Sequence, residues 1–415
     1  MKQSKHNIYY SPKEVRTILE RSIDTALDGL KGYCNDPVSD FTRCRKLPAR
    51  TLIECIMSFS NYSSIGELSH FFVGQGEMPS ASALSQRRQL LDPDIFKRIN
   101  NLFVSAFDDH TTINGYHILA QDGSDVNIPF MDDKTKTEKH DAKSFCQYHV
   151  NALYDCLNKV FYDWSIDAAS KKREVNALIS ILKDRNYPQN SIFTADRGYE
   201  SYNLMAHFIE NDIKFVIRVK DIHTRSGLMT NIKTEEGAFD MRINRTLTSL
   251  QTKEIKADKE KYIFVPSTSN FDFLDENRDF YDLSFRAVRF KISEDTYETV
   301  VTNLSEEEFK TEDFKELYHY RWNEETAFNK LKYTIGLVYF HARKRKLIQQ
   351  EINAAFLMYN VSEVIIRNID LKKNKKPKLE YDYKPNFSSA VTNIRLYLRK
   401  KISMKELIHR IKKFL

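Results

Sequence analysis

Between His117 and Lys220 the apolar segments follow one another in an order that few folds can use. HILAQDGS, YHVNALYD and KVFYDWSID, with Asn158 near a turn, read as three adjacent antiparallel strands. From Lys172 to Arg185 the residues Val175, Leu178, Ile179 and Leu182 recur at the three- and four-residue steps of a buried helical face. The strand SIFTAD, a turn at Gly198, the helix SYNLMAHFIEND and the strand KFVIRVK complete the series. Helical crossovers of this kind return later strands parallel to the first, and right-handed connections leave few alternatives.

That order is the one of a ribonuclease-H-like α/β core. Five regions follow from the periodicity. Residues 1–110 read as a helical N-terminal DNA-binding region, 111–220 as the first part of the core and 221–301 as a β-rich insertion. Residues 302–345 read as the second part of the core, with one long docked helix, and 346–415 as a basic helical C-terminal region. In the insertion AFDMRI, KEIKA, KYIFVPS, LSFRAVRFKI and YETVVTNL all read as β-type segments. In the N-terminal region SSIGELSHFF, a glycine-containing break and SASALSQRRQLL resemble a helix-turn-helix. Its second helix is expected to expose Arg87 and Arg88 for DNA contact, against the alternative of a merely structural hairpin.

Composition excludes several classes. Forty-one per cent hydrophobic and 29% charged residues, with 11 Gly and 10 Pro, belong to a folded globular protein. No run approaches the roughly 20 apolar residues of a membrane span, and MKQSKHNIYY lacks a signal core, so a cytoplasmic, nucleoid-associated protein is expected. Five cysteines without a CxxC pair suggest reduced thiols rather than disulfides or zinc ligands. From His341 onward 19 Lys and Arg face 6 Asp and Glu, so this end carries +13 while the first 340 residues carry −6. Arg343 to Lys346 and the stretch from Lys372 to Lys378 have the charge to neutralise phosphates, or simply form a solvated face.

Three acids stand out against this frame. Asp122 follows the apolar run Ile118, Leu119 and Ala120, and Asp196 follows Ile192 and Phe193; each is expected to end its strand. Neighbouring strands lie about 5 Å apart, so both carboxylates can reach one cation. Two carboxylates so close repel, and a hard divalent ion with oxygen ligands is the simplest relief. The third acid lies on a helix where Tyr318, Arg321, Glu325 and Lys332 fall within an arc of roughly 60° at 100° per residue. Phe314, Leu317, Phe328, Leu331 and Ile335 form the apolar stripe beside it. Asp125 lies beyond the expected strand end and Glu324 off the stripe, so both are disfavoured; His149 and His207 read as structural or surface residues.

With these residues in hand, the chain resembles the DDE transposases of bacterial insertion sequences, specifically the insertion-sequence-four family. Tyr318, Arg321, Glu325 and Lys332 in YHYRWNEETAFNKLK match the spacing of that family's Tyr-Arg-Glu-Lys signature. QDGS at Gln121 to Ser124 and TADRGYES at Thr194 to Ser201 are similar to its two Asp motifs. The resemblance implies that Asp122, Asp196 and Glu325 hold two Mg²⁺ ions about 4 Å apart, with Mn²⁺ able to substitute. It implies that Tyr318, Arg321 and Lys332 grip the DNA backbone near the cut. It implies cut-and-paste transposition: cleavage at inverted-repeat ends, then attack of the freed 3′-hydroxyl on target DNA, carried out by a homodimer on double-stranded DNA. An inactive DNA-binding relic or regulator, and a structure-specific nuclease, are the alternatives. Relatives that form a DNA hairpin use a Trp in the insertion to hold a flipped base; here Trp164 and Trp322 both lie outside it, leaving Phe264, Phe271, Phe273, Phe280 or Tyr281.

Overall fold

The computed structural model describes all residues except 6–9, 44, 75, 109, 140–141, 170–173, 223, 225, 270, 295, 370–384 and 414–415. The basic stretch from Lys372 to Lys378 therefore lies outside the described residues. A short strand β1 (Gln3–Lys5) precedes helix α1 (Pro12–Asp28), which Ser11 opens with a capping box to Glu14. Val15, Leu19, Ile23 and Ala26 recur at helical spacing along its buried side. Helices α2 (Ala49–Met57), α3 (Ser64–Phe72), α4 (Ala81–Leu90) and α5 (Asp94–Val104) complete the N-terminal region, as its periodicity predicts.

The central sheet starts after β2 (Thr111–Ile113) with β3 (His117–Ile128) and β4 (Lys136–Lys139). It continues with β5 (Ala142–Asp155), β6 (Val160–Ala168), helix α6 (Glu174–Asp184), β7 (Ser191–Ala195), helix α7 (Tyr202–Glu210) and β8 (Lys214–Val219). β3 pairs antiparallel with β5 and β5 with β6, whereas β7 lies parallel to β3 and β8 parallel to β7. The order of strands and helices expected for the core is observed, with one unexpected short strand, β4, between β3 and β5. β3 is longer than expected, however, because Val126 and Ile128 keep pointing inward while Asp125 and Asn127 face out. Asp122 and Asp125 are therefore both strand residues, and the parallel pairing with β7, not the strand itself, stops at Gln121.

The insertion does not stand apart from this sheet. It supplies β9 (Phe239–Thr248), helix α8 (Lys253–Ala257), β10 (Tyr262–Phe264), β11 (Phe280–Ser293) and β12 (Thr296–Thr302). β12 pairs antiparallel with β8, so the strands run β10-β9-β11-β12-β8-β7-β3-β5-β4, with β6 on β5, in one 10-stranded sheet. KEIKA is a short helix rather than a strand because Thr252 caps it, accepting from the Ile255 amide at 3.3 Å.

The long helix expected after Phe309 is broken. α9 (Asp313–His319) gives way at Tyr320 and Arg321 to α10 (Trp322–Lys330), followed by a π-helical turn over Leu331–Ile335 that Gly336 ends at φ 120°. Helix α11 (Arg345–Arg367) then runs through the interior against α1, α2, α5 and β6, and α12 (Phe387–Leu398) and α13 (Met404–Lys413) close the chain. α11 carries amides that look misplaced on an apolar helix. Gln350 donates to the Arg88 and Leu91 carbonyls, both at 2.7 Å, and Asn353 donates to the Pro93 carbonyl while accepting from the Trp164 indole at 2.8 Å. They satisfy buried backbone groups where helices and sheet meet. No helix among the described residues is long and apolar enough to cross a membrane.

α4 does not expose Arg87 and Arg88. They are 9% and 3% exposed. The Arg87 guanidinium donates to the Leu47 carbonyl at 3.1 Å and lies over Phe41, and Arg88 donates to Glu351 and to the Leu347 carbonyl, both at 2.7 Å. The helical hairpin is present, but these arginines hold the protein together.

Glu351 also accepts from the His341 backbone at 2.9 Å, and the buried His341 ring lies between Glu351, at 3.1 Å, and Glu67, at 3.4 Å. Burial disfavours the imidazolium, but the two carboxylates outweigh it and raise the pKa from 6.5 to about 9. Arg88, Glu351 and Glu67 are the charged partners packed round this ring. A folded-state pKa above the unfolded one gives stability that is complete below about 6.5 and fades as pH rises through about 9. The shift corresponds to roughly 3 kcal/mol. Urea melts should show the stability gap between wild type and His341→Gln narrowing over that window; a gap independent of pH would refute the charged histidine.

Candidate active site

Asp122 sits where the β3–β7 pairing runs out, and Asp196 directly follows β7. Gln121 pairs with Ala195, so the two aspartates leave neighbouring parallel strands at the same level. Each makes a local contact that fixes its backbone. The Gly123 amide donates to Asp122 at 2.8 Å, and the Gly198 amide donates to Asp196 at 2.7 Å, capping a 3₁₀ turn over Arg197–Tyr199. Asp122 is raised to about 6, first by burial and further by the charges of Asp196 and Glu325; the Gly123 amide and Arg321 pull the other way.

The third acid arrives through Arg321. Its guanidinium, at the junction of α9 and α10, is buried and lies 4.0 Å from Asp122 and 3.0 Å from Glu325. Burial opposes its charge, but Tyr318, Asp122 and Glu325 outweigh that and hold its pKa above the ordinary value. Glu325 is partly exposed, with its carboxylate at the rim. Lys332, on the π-helical turn, faces Asp125 and Asp122; burial lowers its pKa and the two acids oppose the shift. Asp122, Asp196, Arg321, Glu325 and Lys332 thus share one electrostatic neighbourhood. Tyr318 is 1% exposed, behind Arg321 rather than on an open face.

Two groups set aside in the sequence belong to this place. Glu324 is fully buried against Asp122 and Arg321, and burial first, then the Asp122 charge, raises its pKa well above the ordinary carboxylate value. His149 is also fully buried, at 2.6 Å from Asp125 and 3.2 Å from Glu174. A Cβ on Gly123 would come within 2.3 Å of the His149 ring, so only glycine lets the strand pass here. His207, by contrast, is structural: it is bound to Asp272 at 2.7 Å and packed on Phe273.

Asp122, Asp196 and Glu325 share this neighbourhood with Arg321 and Lys332, and the donors they offer are all oxygens, which fits a hard divalent cation. Among the described residues no three His, Cys, Asp or Glu are gathered as metal ligands, and Glu325 is engaged by Arg321 at 3.0 Å.

The aromatic side chains divide clearly. Trp164 is core, stacked on Phe356 at 4.4 Å, whereas Trp322 is 47% exposed beside Arg321. In the insertion Phe271, Phe273 and Tyr281 pack on one another, while Phe264 and Phe280 are exposed and both pair in register with Thr248.

Residues 113–361 match the family model described as a transposase DDE domain, which is well over half of the chain. None of the curated proteins matches in sequence. Among solved structures, the cryo-EM structure of a piggyBac transposase synaptic complex with hairpin DNA is similar at 12% identity and a TM-score of 0.48, covering 100% of this chain and 88% of that one.

Proposed function

Because the chain belongs to the transposase DDE domain family, we propose that it moves a bacterial insertion sequence by cut-and-paste, cleaving DNA at the element ends and joining the freed 3′ ends to target DNA. The observation that carries this reading is the meeting of Asp122 and Asp196 at neighbouring strand positions, with Glu325 tied to Asp122 through Arg321. The core takes the ribonuclease-H-like arrangement in this reading, and the Tyr-Arg-Glu-Lys spacing favours the insertion-sequence-four group.

Asp122, Asp196 and Glu325 are the residues that would hold Mg²⁺ or Mn²⁺, which would supply an activated water or 3′-hydroxyl and stabilise the leaving oxygen. Arg321 bridges Asp122 and Glu325, and its planar fork would suit a DNA phosphate at the site. Lys332 approaches the same phosphate as a point charge. Tyr318 acts from behind, fixing the Arg321 guanidinium, and the exposed Trp322 offers a face for a base or sugar at the cut. Glu324, buried beside Asp122, gives the floor of the site a polar group. Two DNA ends must be brought together, which favours a homodimer on DNA. The exchange of one phosphodiester for another requires no nucleotide hydrolysis.

Purified protein incubated in Mg²⁺ or Mn²⁺ with labelled element ends and a target plasmid should yield both nicked ends and joined products. Nicks without joining would make it a nuclease, and binding without either product a regulator.

A further inference from the structure

A second charged recess lies among the N- and C-terminal helices, between α1, α2 and the end of α12, and shares no residue with the carboxylate site. It is a half-open cleft of about 420 Å³, within the range of small-molecule sites. Its floor is apolar, from Leu19, Ile23, Phe71 and Met358. Its walls carry Arg16, Arg50, Arg395, Arg399 and Lys400 against only Glu20 and Glu54.

The two acids are already engaged. Glu20 lies 3.9 Å from Arg16 and 3.7 Å from Lys400, and Glu54 takes the Arg50 guanidinium at 3.0 Å. Arg395 and Arg399 have no carboxylate in ion-pair contact among the described residues. Arg395 gives one nitrogen to the Ile335 carbonyl at 2.9 Å, and Arg399 lies over the Phe71 ring at 5.5 Å. The Nε of each is sealed from solvent and finds no acceptor among the described residues. Burial lowers both pKa values, Arg395 to about 10. Arg395 and Arg399, one helical turn apart, both line the cleft without a carboxylate in ion-pair contact among the described residues, and an anion there would supply the missing charge.

We propose that this cleft binds a small organic phosphate of mononucleotide size, its phosphate held by Arg395 and Arg399 and its flat body laid over the apolar floor. Guanidinium forks match phosphate oxygens in pairs, which a lone carboxylate-neutralised lysine would not do. The floor argues against inorganic phosphate as the whole ligand, since that ion would leave the apolar wall wet. Arg395 also ties the cleft to the carboxylate site, because Ile335 ends the turn that bears Lys332. The nucleotide phosphate has two sources: a free mononucleotide, or the 5′-phosphorylated end of a DNA strand.

Calorimetric titration of the full chain in metal-free buffer separates these sources. Adenosine monophosphate should bind saturably, inorganic phosphate at least tenfold more weakly, and Arg399→Gln should weaken the nucleotide at least tenfold. Thr51→Trp, which fills the cleft while keeping every charge, should do the same and guards against a misfolded arginine variant. If only a 5′-phosphorylated oligonucleotide binds, and its unphosphorylated twin does not, the cleft holds with DNA as the source. No binding of either, or binding that both variants leave intact, overturns the proposal.

Discussion

Asp196→Ala is expected to abolish cleavage of element-end DNA while leaving the binding of those ends intact. The carboxylate is one of three that would share the metal, and metal stabilisation of transition-state charge is worth several kcal/mol, so a loss of about 10³-fold or more follows. Binding should survive, because Arg321, Lys332 and the basic C-terminal helices are untouched. Asp196 also caps the turn at Gly198, and losing a cap costs about 1 kcal/mol, too little to unfold the chain. Asp196→Asn is the sharper companion: it keeps an oxygen for the Gly198 amide but removes the charge, and it should be as inactive as alanine. Nicking of a labelled end duplex and its retention in a gel, measured side by side, separate chemistry from binding. Undiminished cutting by both variants would remove Asp196 from the reaction and with it the reading of the site.

The parts of this molecule that were legible in the sequence are those set by local pattern. The neighbouring positions of Asp122 and Asp196 follow from strand order and crossover geometry alone, and their register fulfils it. The extent of β3 did not, because its inward residues beyond Asp122 are separated by Gly123, Ser124, Asp125 and Asn127, which read as the end of a strand. The burial of Glu324 against Asp122 was hidden for a different reason. A face drawn at 100° per residue assumes one straight helix, and the break at Tyr320 and Arg321 re-aims everything after it. The insertion's membership of the main sheet depends on β12 finding β8 some eighty residues away, as in Thr299 against Val219, and no local pattern encodes that choice. His149 shows the same limit at shorter range. Its role as a buried bridge between Asp125 and Glu174 becomes visible only once β5 lies beside β3 and α6 is docked.

Arg88 gives the most direct test of this division, since the sequence offered it to DNA and the fold gives it to the core. Its guanidinium joins α4 to α11 through Glu351, the Gln350 side chain and the Leu347 carbonyl, and Glu351 in turn holds His341. Arg88→Ala would leave the Glu351 carboxylate buried with half its compensation gone. Removing one partner of a buried ion pair costs about 3–5 kcal/mol, comparable with a large part of a domain's whole stability. A fall of that size in the urea unfolding free energy is therefore expected, whereas an exposed DNA-contacting arginine would cost within about 0.5 kcal/mol. Binding supplies an independent axis. An arginine that contacts phosphate contributes nearly one unit to the dependence of log affinity on log salt, so its loss flattens that slope. Folded Arg88→Ala protein, measured below its melting range, should keep the wild-type slope. A stable variant with a flattened slope would return α4 to the DNA-reading role and place the burial of Arg88 in error. Arg88→Met keeps most of the packing but still leaves the Glu351 carboxylate unpaired, so a loss close to that of Arg88→Ala would show that the carboxylate carries the cost, and a full recovery would assign it to lost packing.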